Sequence, residues 1–520
     1  MRVINDIKPG CDYLKDESQL IGNADKIYFC HNTNEIEEVL SNCYKNNTPI
    51  TIQGALTGIC GGAVPLNGVV INLSEMNNIL GMNYNTELEK YIIKVQSGLL
   101  LKDLNHFLKS KKIDISNFDE ESIKGYNKFI KDSSFMFPTD PTETLASIGG
   151  MVACDASGAC SYKYGSIRKY IQGLTLVTPT MKLNIERGKY KYSDLEHILK
   201  LDGSSLPKWQ AQNQDIKDVA GLYYDDNMDL IDLIIGGEGI FGVITEIELI
   251  LIEEPKVQAG VMLFLNEENE LAKFVDKLRN NESKLFNSGI AAIEYFDSNS
   301  LKLLNRFREV NQALKKLPII QDEFYGSLYL EFHLDSSDEL DELLMDILED
   351  MNEYGINEKH QWLGIESSDF EKLKLFRHAV PECVNILIAS NKQIDSRLNK
   401  LGTDMSVPND QLLNTLLMYQ KDIEELDVSS VIFGHIGDNH LHVNLLPNTY
   451  RKLVDSKKVI INWANYITSC GGSVTAEHGI GKLKKELLKL MLKEEDINSM
   501  RKIKGIIEPK GLLNQGTLLD

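Results

Sequence analysis

Two short histidine-rich stretches carry the residue types of a catalytic metal site. Residues 434–444 read Gly-His-Ile-Gly-Asp-Asn-His-Leu-His-Val-Asn, and residues 476–479 read Ala-Glu-His-Gly. Four of the ten histidines of the chain lie in these stretches. Two imidazoles and one carboxylate bind a divalent metal and leave coordination positions open for a substrate. The pattern therefore predicts an open catalytic metal site.

A β-hairpin is predicted to position His435, His440 and His442. An apolar strand precedes His435, a Gly-Asp-Asn turn follows it, and residues 440–445 alternate polar with apolar side chains. Because alternate residues of a strand point to the same face, His440 and His442 are expected to share one face. A further short strand at residues 473–476 leads to the second stretch.

The composition excludes several classes of function. The chain has 520 residues, and 55 Lys and Arg against 76 Asp and Glu give a net charge of −21. Such acidity argues against nucleic acid as a partner, because phosphates need a basic surface. No apolar run could span a bilayer and the N-terminus has no apolar signal core, so a cytoplasmic protein without a transmembrane segment is expected. The eight cysteines form no Cys-x-x-Cys pair, which argues against an iron–sulfur cluster.

Strand and helix patterns predict an α+β protein with more than one domain. Residues 26–53 read as a strand, a helix and a strand. Composition changes after residue 255, and residues 256–350 alternate strands with amphipathic helices, as in a helix-covered antiparallel sheet. Helices are expected at residues 409–426 and 450–469.

Three glycine-rich loops follow predicted strands or lead into helices, at residues 54–62, 148–153 and 236–242. Glycine lets successive backbone N–H groups converge on a phosphate. The spacing is neither Gly-x-Gly-x-x-Gly nor a P-loop, so a simple dinucleotide or kinase-type fold is not indicated. One such loop alone is typical of a tight structural turn. Three of them favour a large, extended ligand that contains a pyrophosphate.

An ordered series of motifs extends this interpretation. They are Thr-Gly-Ile-Cys-Gly-Gly-Ala-Val-Pro at 57–65, Pro-Thr-Asp-Pro at 138–141, Ala-Ser-Ile-Gly-Gly at 146–150, Tyr-Gly at 164–165, Gly-Glu-Gly-Ile-Phe-Gly-Val-Ile-Thr-Glu at 237–246 and Pro-Lys-Gly-Leu-Leu-Asn at 509–514. With them the chain resembles flavoproteins of the vanillyl-alcohol oxidase / p-cresol methylhydroxylase type. Within that group it resembles the D-lactate, glycolate and D-2-hydroxyglutarate dehydrogenases. The resemblance runs from about residue 20 to the C-terminus.

The resemblance implies an α+β fold of three parts. Residues 1–255 would form the p-cresol methylhydroxylase-type FAD-binding domain of two α+β subdomains, and residues 256–450 an α+β cap domain with an antiparallel sheet over the substrate. Residues 451–520 would complete the active site and return to the FAD domain. The residues expected to contact FAD are Gly54, Ala55, Thr57, Gly58, Ile59, Cys60, Gly61, Gly62, Pro138, Asp140, Pro141, Ser147, Gly149, Gly150, Cys154, Ala156, Gly158, Glu238, Gly242, Val243, Ile244 and Asn514.

The flavin loops depart from the family pattern at a few positions. Met151, Cys154 and Asp155 stand where the family usually has Asn, Thr and Asn. Cys60 replaces a common Ser, and whether it bonds covalently to flavin stays open, although a small buried side chain beside the phosphate is the favoured interpretation. No histidine lies in the first loop, which excludes a histidyl-linked flavin there.

The resemblance also assigns roles in the histidine stretches. His435, His442 and Glu477 would bind a divalent metal (Zn, Mn or Fe), and His478 would be the catalytic base. His440 is an additional imidazole without an assigned role. Arg377, in Phe-Arg-His-Ala-Val-Pro-Glu at 376–382, would clamp the substrate carboxylate, although a helix-surface salt bridge is the alternative.

One departure bears on the substrate. The 2-hydroxyglutarate-type enzymes carry a lysine two residues before an aspartate that corresponds to Asp404, and this chain has Gly402 there. That favours a small monocarboxylic acid, with oxidation of D-lactate to pyruvate as the leading hypothesis. A metal would acidify the hydroxyl, His478 would take its proton and FAD would accept the hydride. Electron-transfer flavoprotein is the expected electron acceptor.

Three other functions stay open on the sequence. The first is a glycolate dehydrogenase or oxidase subunit. The second is a metal hydrolase with structural glycine loops. The third is an ether-forming enzyme like alkyl-dihydroxyacetone-phosphate synthase, which is disfavoured because that family has three consecutive histidines where this chain has Ala476-Glu477-His478.

Overall fold

The computed structural model describes residues 1–199, 205–266, 268–279, 289–321, 323–353 and 360–519. Strands and helices alternate along these residues, as the sequence predicts. The strands are β1 (Arg2–Ile4), β2 (Lys26–Phe29), β3 (Ile50–Gln53), β4 (Val69–Asn72), β5 (Ile79–Asn85), β6 (Lys90–Gln96), β7 (Phe135–Met136), β8 (Ile171–Val177), β9 (Lys182–Glu186), β10 (Val243–Ile250), β11 (Ile252–Glu253), β12 (Val257–Leu265), β13 (Ile290–Asp297), β14 (Gly326–Leu334), β15 (Gln361–Gly364), β16 (Leu401–Gly402), β17 (Met405–Ser406), β18 (Ser430–Gly434) and β19 (His440–Leu445). The helices are α1 (Thr33–Asn46), α2 (Leu101–Ser110), α3 (Glu120–Phe129), α4 (Ile148–Ala153), α5 (Ser161–Tyr164), α6 (Leu195–Ile198), α7 (Leu230–Ile234), α8 (Glu268–Arg279), α9 (Ser298–Val310), α10 (Asp338–Glu353), α11 (Ser367–Ile394), α12 (Leu412–Leu426), α13 (Tyr450–Ser469), α14 (Lys485–Met491) and α15 (Glu494–Ile507).

The N-terminal half contains two main sheets. The first has the order β1-β2-β4-β3, with β2 and β3 both parallel to β4. Helix α1 connects β2 to β3, and it begins where the Asn32 side chain accepts a hydrogen bond from Glu35 N. The second sheet is antiparallel with the order β5-β6-β10-β8-β9. The strand, helix and strand predicted over residues 26–53 are confirmed.

The C-terminal half is built on a third sheet with the order β15-β12-β14-β13-β18-β19-β16, and β17 pairs with β19. Its strands are antiparallel. Helices α9 and α11 pack against it through a buried cluster that includes Phe296, Tyr329 and Phe376. The helix-covered antiparallel sheet expected after residue 255 is confirmed, and so are the helices expected near 409–426 and 450–469.

The predicted histidine hairpin is also present. Strands β18 and β19 are antiparallel, and their register pairs Phe433 with His442. The prediction of a strand at residues 473–476 is wrong. In this segment only Ser473 has a β partner, and it forms a single bridge with Ser406. Ser473 Oγ instead accepts from Thr475 N and donates to Asp218. These side-chain hydrogen bonds take the place of the backbone pairing that a strand would make. In the described part of the chain, no helix combines the length and the apolarity needed to cross a membrane.

Candidate active site

Glu477 lies at the centre of the histidine cluster. Its Oε2 is 3.5 Å from His435 Nε2, and its Oε1 is 3.3 Å from His442 Nε2. An ion bound at about 2.1 Å in tetrahedral geometry separates its ligand atoms by about 3.4 Å. The two separations therefore fit a divalent ion between these groups. The structure brings together the three residues expected to bind a metal.

Glu294 orients His435 within this cluster. Its Oε1 lies 3.0 Å from His435 Nδ1, which leaves Nε2 facing Glu477. A carboxylate behind a histidine is the usual support of a metal-binding imidazole. Burial alone would raise the pKa of Glu294, but His435 and Arg377 lower that pKa to about 2. Burial disfavours a charge on His435, but Glu294 outweighs it and raises the pKa of His435 to about 9.

Arg377 lies on α11 and pairs with the same carboxylate. Its Nε is 3.2 Å from Glu294 Oε1, and only 8% of the residue is exposed. The pair is buried, so the helix-surface salt bridge considered from the sequence is wrong. Among the described residues no protein oxygen accepts a hydrogen bond from the two terminal nitrogens of Arg377. These nitrogens remain available for a carboxylate.

His478 is held from one side by Asp404. Its Nδ1 is 3.2 Å from Asp404 Oδ2, and its backbone N donates to the same oxygen at 3.0 Å. The tautomer with its proton on Nδ1, the nitrogen beside Asp404, has the lone pair of Nε2 free, 3.4 Å from Glu477 Oε1. Lys484 Nζ lies 2.6 Å from Asp404 Oδ2. Burial alone would raise the pKa of Asp404, but His478 and Lys484 hold it well below its ordinary value.

His440, which has no assigned role from the sequence, is fully buried between the two carboxylates. Its Nε2 is 2.9 Å from Asp404 Oδ1 and its Nδ1 is 4.0 Å from Glu477 Oε2. Neither contact meets hydrogen-bond geometry. Burial lowers the pKa of His440 to about 3, so the imidazole is neutral. A neutral imidazole with a free nitrogen is the form that ligates metals.

Lys217 is a further charged group at this site. Its Nζ donates to Glu477 Oε2 at 2.9 Å and to Ser161 Oγ at 3.1 Å. Sequence reasoning missed Lys217, because one lysine in a polar segment carries no distinguishing pattern. It also missed Glu294, although a glutamate flanked by apolar residues within strand β13 was a signal that could have found it.

The three glycine-rich loops lie against one another. A Cβ on Gly54 would be 2.3 Å from Ser147 Oγ, so glycine lets the first loop touch the second. The backbone N–H groups of Gly236 and Glu238 donate to Val152 and Ala153, which joins the third loop to the second. The sequence prediction that these segments serve one extended ligand is consistent with this arrangement.

The same loops contact the segment that follows the base. The Cys60 carbonyl accepts from Lys482 N at 2.8 Å, and the Glu238 carboxylate accepts from Ile480 N and Gly481 N. Lys482 Nζ donates to the Gly61 and Gly62 carbonyls at 3.1 Å. The first loop is therefore fixed directly beside His478.

The first loop fits a pyrophosphate. Within the described ranges, the backbone N–H groups from Ala55 to Gly62 have no protein acceptor. A Cβ on Gly58 would meet no atom within 4 Å, so this part of the loop faces open space. Leu56 adopts a φ of 64°, a conformation that is uncommon for leucine and turns the chain within the loop. Unpaired N–H groups on a turning backbone are the donors that bind phosphate.

Several of the predicted FAD contacts have side chains that are engaged within the protein. Asn514 accepts from Ile52 N and donates to Glu238 O, so its amide links the C-terminal tail to the third loop. The thiol of Cys60 donates to Gly479 O, and burial raises its pKa to about 12. The remaining positions divide by exposure. Pro138, Ser147, Gly149, Gly158, Gly242, Val243 and Ile244 are buried, whereas Ala55, Thr57, Pro141, Gly150, Cys154 and Ala156 are half-buried and Ile59 and Asp140 are exposed.

Comparison with known families identifies the class of protein that this arrangement serves. Residues 24–118 and 121–183 match the FAD binding domain family, and residues 254–518 match the C-terminal domain of FAD linked oxidases. The chain therefore belongs to the FAD-linked oxidases, and it is an FAD-binding oxidoreductase.

Curated relatives share nearly the whole chain. D-lactate dehydrogenase of Anaerostipes hadrus is 27% identical over 98% of this chain and 92% of its own length. The glycolate oxidase subunit GlcD of Bacillus subtilis is 24% identical over 95% of this chain and 88% of its own. The solved structure of an alkyldihydroxyacetonephosphate synthase superposes with a TM-score of 0.62 at 17% identity, and covers 95% of this chain and 76% of that one. The last likeness confirms the p-cresol methylhydroxylase-type fold.

Proposed function

We propose that this protein oxidises a small D-2-hydroxyacid to the 2-oxoacid with FAD and a divalent metal, and that D-lactate is its substrate. The observation that carries the proposal is the position of His478. Its Nε2 is 3.4 Å from the central carboxylate of the histidine cluster, and its own segment contacts the first flavin loop. A base between a metal-type site and a flavin-type site is what oxidation of a hydroxyl group needs.

The residues divide the work of binding. Arg377 offers two free terminal nitrogens to the substrate carboxylate, while Glu294 holds its Nε. His435, His442 and Glu477 would hold the metal, which would acidify the 2-hydroxyl group when bound. FAD, when bound, accepts the hydride from C2.

His478 removes the hydroxyl proton in this proposal. Asp404 Oδ2 lies 3.2 Å from Nδ1, so the proton of the substrate oxygen is transferred to the other nitrogen, Nε2, and the ring becomes an imidazolium. Asp404 then carries the charge that stabilises the imidazolium, as in other carboxylate–histidine pairs. The C–H electron pair leaves C2 as hydride, and the C2–O bond becomes a carbonyl.

The size of the substrate is inferred from position 402. Gly402 lies on β16, and a Cβ there would meet only Asn444 Oδ1 at 3.3 Å. No cationic side chain is presented from this position to a second carboxylate. The relatives named D-lactate dehydrogenase and glycolate oxidase subunit support a small monocarboxylic acid. Glycolate is the alternative substrate.

The electron acceptor is proposed to be electron-transfer flavoprotein. The described residues contain no Cys-x-x-Cys cluster or NAD fingerprint that would provide a second redox site. Reduced flavin must then pass its electrons to a separate protein or small molecule. Turnover with electron-transfer flavoprotein, quinone and oxygen as alternative acceptors would distinguish these routes.

Anaerobic bleaching of the bound flavin tests the reaction. D-Lactate should bleach the flavin of the metal-loaded protein, while L-lactate and D-2-hydroxyglutarate should leave it yellow. His478→Ala should keep its flavin and lose bleaching by at least a hundredfold, since a positioned base contributes about that much or more. Unchanged bleaching in this variant would disprove the role of His478. Bleaching by the L-acid alone would disprove the stereochemical assignment.

A further inference from the structure

Lys217 is fixed in place beside Glu477. Its Nζ donates to Glu477 Oε2 at 2.9 Å and to Ser161 Oγ at 3.1 Å, and 11% of its side chain is exposed. Its carbonyl accepts from Ser406 Oγ at 2.5 Å, so backbone and side chain are both held. Ser161 Oγ in turn donates to Asp438 at 2.6 Å. A lysine whose side chain is mostly covered, and whose carbonyl and ammonium are both hydrogen-bonded, is part of the site.

The Lys217 ammonium contacts one of the two carboxylate oxygens of Glu477. Oε2 accepts from Lys217 and also lies 3.5 Å from His435 Nε2, while Oε1 faces the Nε2 atoms of His442 and His478. Lys217 also offsets the charge of Glu477, because the two groups form an ion pair with 2.9 Å between Nζ and Oε2. A divalent ion placed here would add two positive charges next to a fixed positive charge, and the carboxylate that would bind it is already paired with Lys217.

We infer that Lys217 is the built-in counter-ion of Glu477 and that it makes tight metal binding depend on the anionic 2-hydroxyacid or 2-oxoacid. The inference rests on the proposed function and adds that the metal binds tightly only together with the acid. Without the acid, Lys217 weakens metal binding by competing for Oε2 and by repelling the ion. The carboxylate of the acid supplies the missing negative charge, so metal and acid bind cooperatively.

A purely structural role for Lys217 predicts the opposite effect of removing it. If Lys217 only held Glu477 in position, its loss would let the carboxylate move and would weaken metal binding. If its charge limits the metal, its loss strengthens metal binding. The sign of the change in affinity therefore separates the two roles.

The experiment measures Mn²⁺ affinity of the flavin-loaded protein by electron paramagnetic resonance of the free ion. Affinity of the wild-type protein should rise at least tenfold with pyruvate and stay unchanged with the neutral pyruvamide. Lys217→Met should bind Mn²⁺ at least tenfold more tightly than wild type without pyruvate, and pyruvate should then add less than threefold. Lys217→Gln keeps a donor for Oε2 without the charge and should behave in the same way.

Lys208→Met is the matched control. It removes one positive charge from the same segment, in an exposed pair with Asp226, and should leave Mn²⁺ affinity unchanged. Equal or weaker binding by both Lys217 variants, with flavin content intact, would overturn the inference. Absence of Mn²⁺ binding in every variant, with and without pyruvate, would instead overturn the proposed metal site.

Discussion

The buried pair of Glu294 and Arg377 allows a quantitative test of the site. Glu294→Gln leaves the Arg377 charge without its partner at a position that is 8% exposed. Breaking a buried pair destabilises by about 3 to 5 kcal/mol. Because glutamine keeps an oxygen next to Arg377 Nε, where the Glu294 oxygen lies at 3.2 Å, we expect the lower end, about 3 kcal/mol. Arg377→Met leaves Glu294 unpaired on that side, and we expect a similar loss.

The double variant provides the decisive comparison. With both charges gone, the loss should again be about 3 kcal/mol, which gives a coupling energy of about 3 kcal/mol in a double-mutant cycle. Apparent free energies of unfolding from urea titration of the flavin-loaded proteins would measure it. Metal affinity should fall about 10- to 100-fold in Glu294→Gln only, because Glu294 supports His435. Additive stability losses, or equal metal affinity in the two single variants, would refute this reasoning.

Three further predictions follow from individual contacts. Burial raises the pKa of Asp297 from 3.8 to about 6, so the native state holds a proton that the unfolded chain has lost and stability falls as pH rises between these values. Asp297→Asn keeps the acceptor for Ser300 and should stabilise the protein by on the order of 3 kcal/mol at pH 8 but not at pH 4. Equal urea midpoints of the wild-type protein and this variant at pH 8 would contradict the prediction. Gly481→Ala should lose FAD, measured by absorbance after gel filtration, because its Cβ would lie 2.1 Å from the Cys60 carbonyl, whereas Gly505→Ala, with no atom within 4 Å, should retain it. Acid precipitation should release all flavin into solution, because the Cys60 thiol is buried and protonated. Flavin that stays with the precipitated wild-type protein, but is released from Cys60→Ser, would instead show a covalent bond to Cys60.

The hairpin and its ligands could be predicted because their signals are local. Turn residues and alternation fix a hairpin, and a hairpin fixes which histidines face one another. The position of Glu477 relative to His435 and His442 needed the resemblance to a family, since the pattern of the intervening helix α13 does not say where the chain returns to the hairpin. The third sheet with its covering helices was predicted from the change of pattern near residue 255.

The supporting residues could not be predicted because they depend on tertiary contacts. Glu294 and Lys217 reach the cluster from a neighbouring strand and from a polar segment far away in sequence. Asn514 shows the converse: its place beside the flavin loops was expected, but its amide bonds to Ile52 and Glu238 are visible only in three dimensions. Sequence patterns define which elements form, whereas satisfaction of buried charges depends on how those elements meet.

Residues 476–482 connect the histidine cluster to the glycine-rich loops. They supply Glu477 and His478 and then the backbone that Glu238 and Cys60 hold. A ligand that orders the first loop therefore restrains the metal-type site, and a ligand at Glu477 restrains the loop. If a metal binds as proposed, linkage requires that FAD change metal affinity by the same factor by which metal changes FAD affinity.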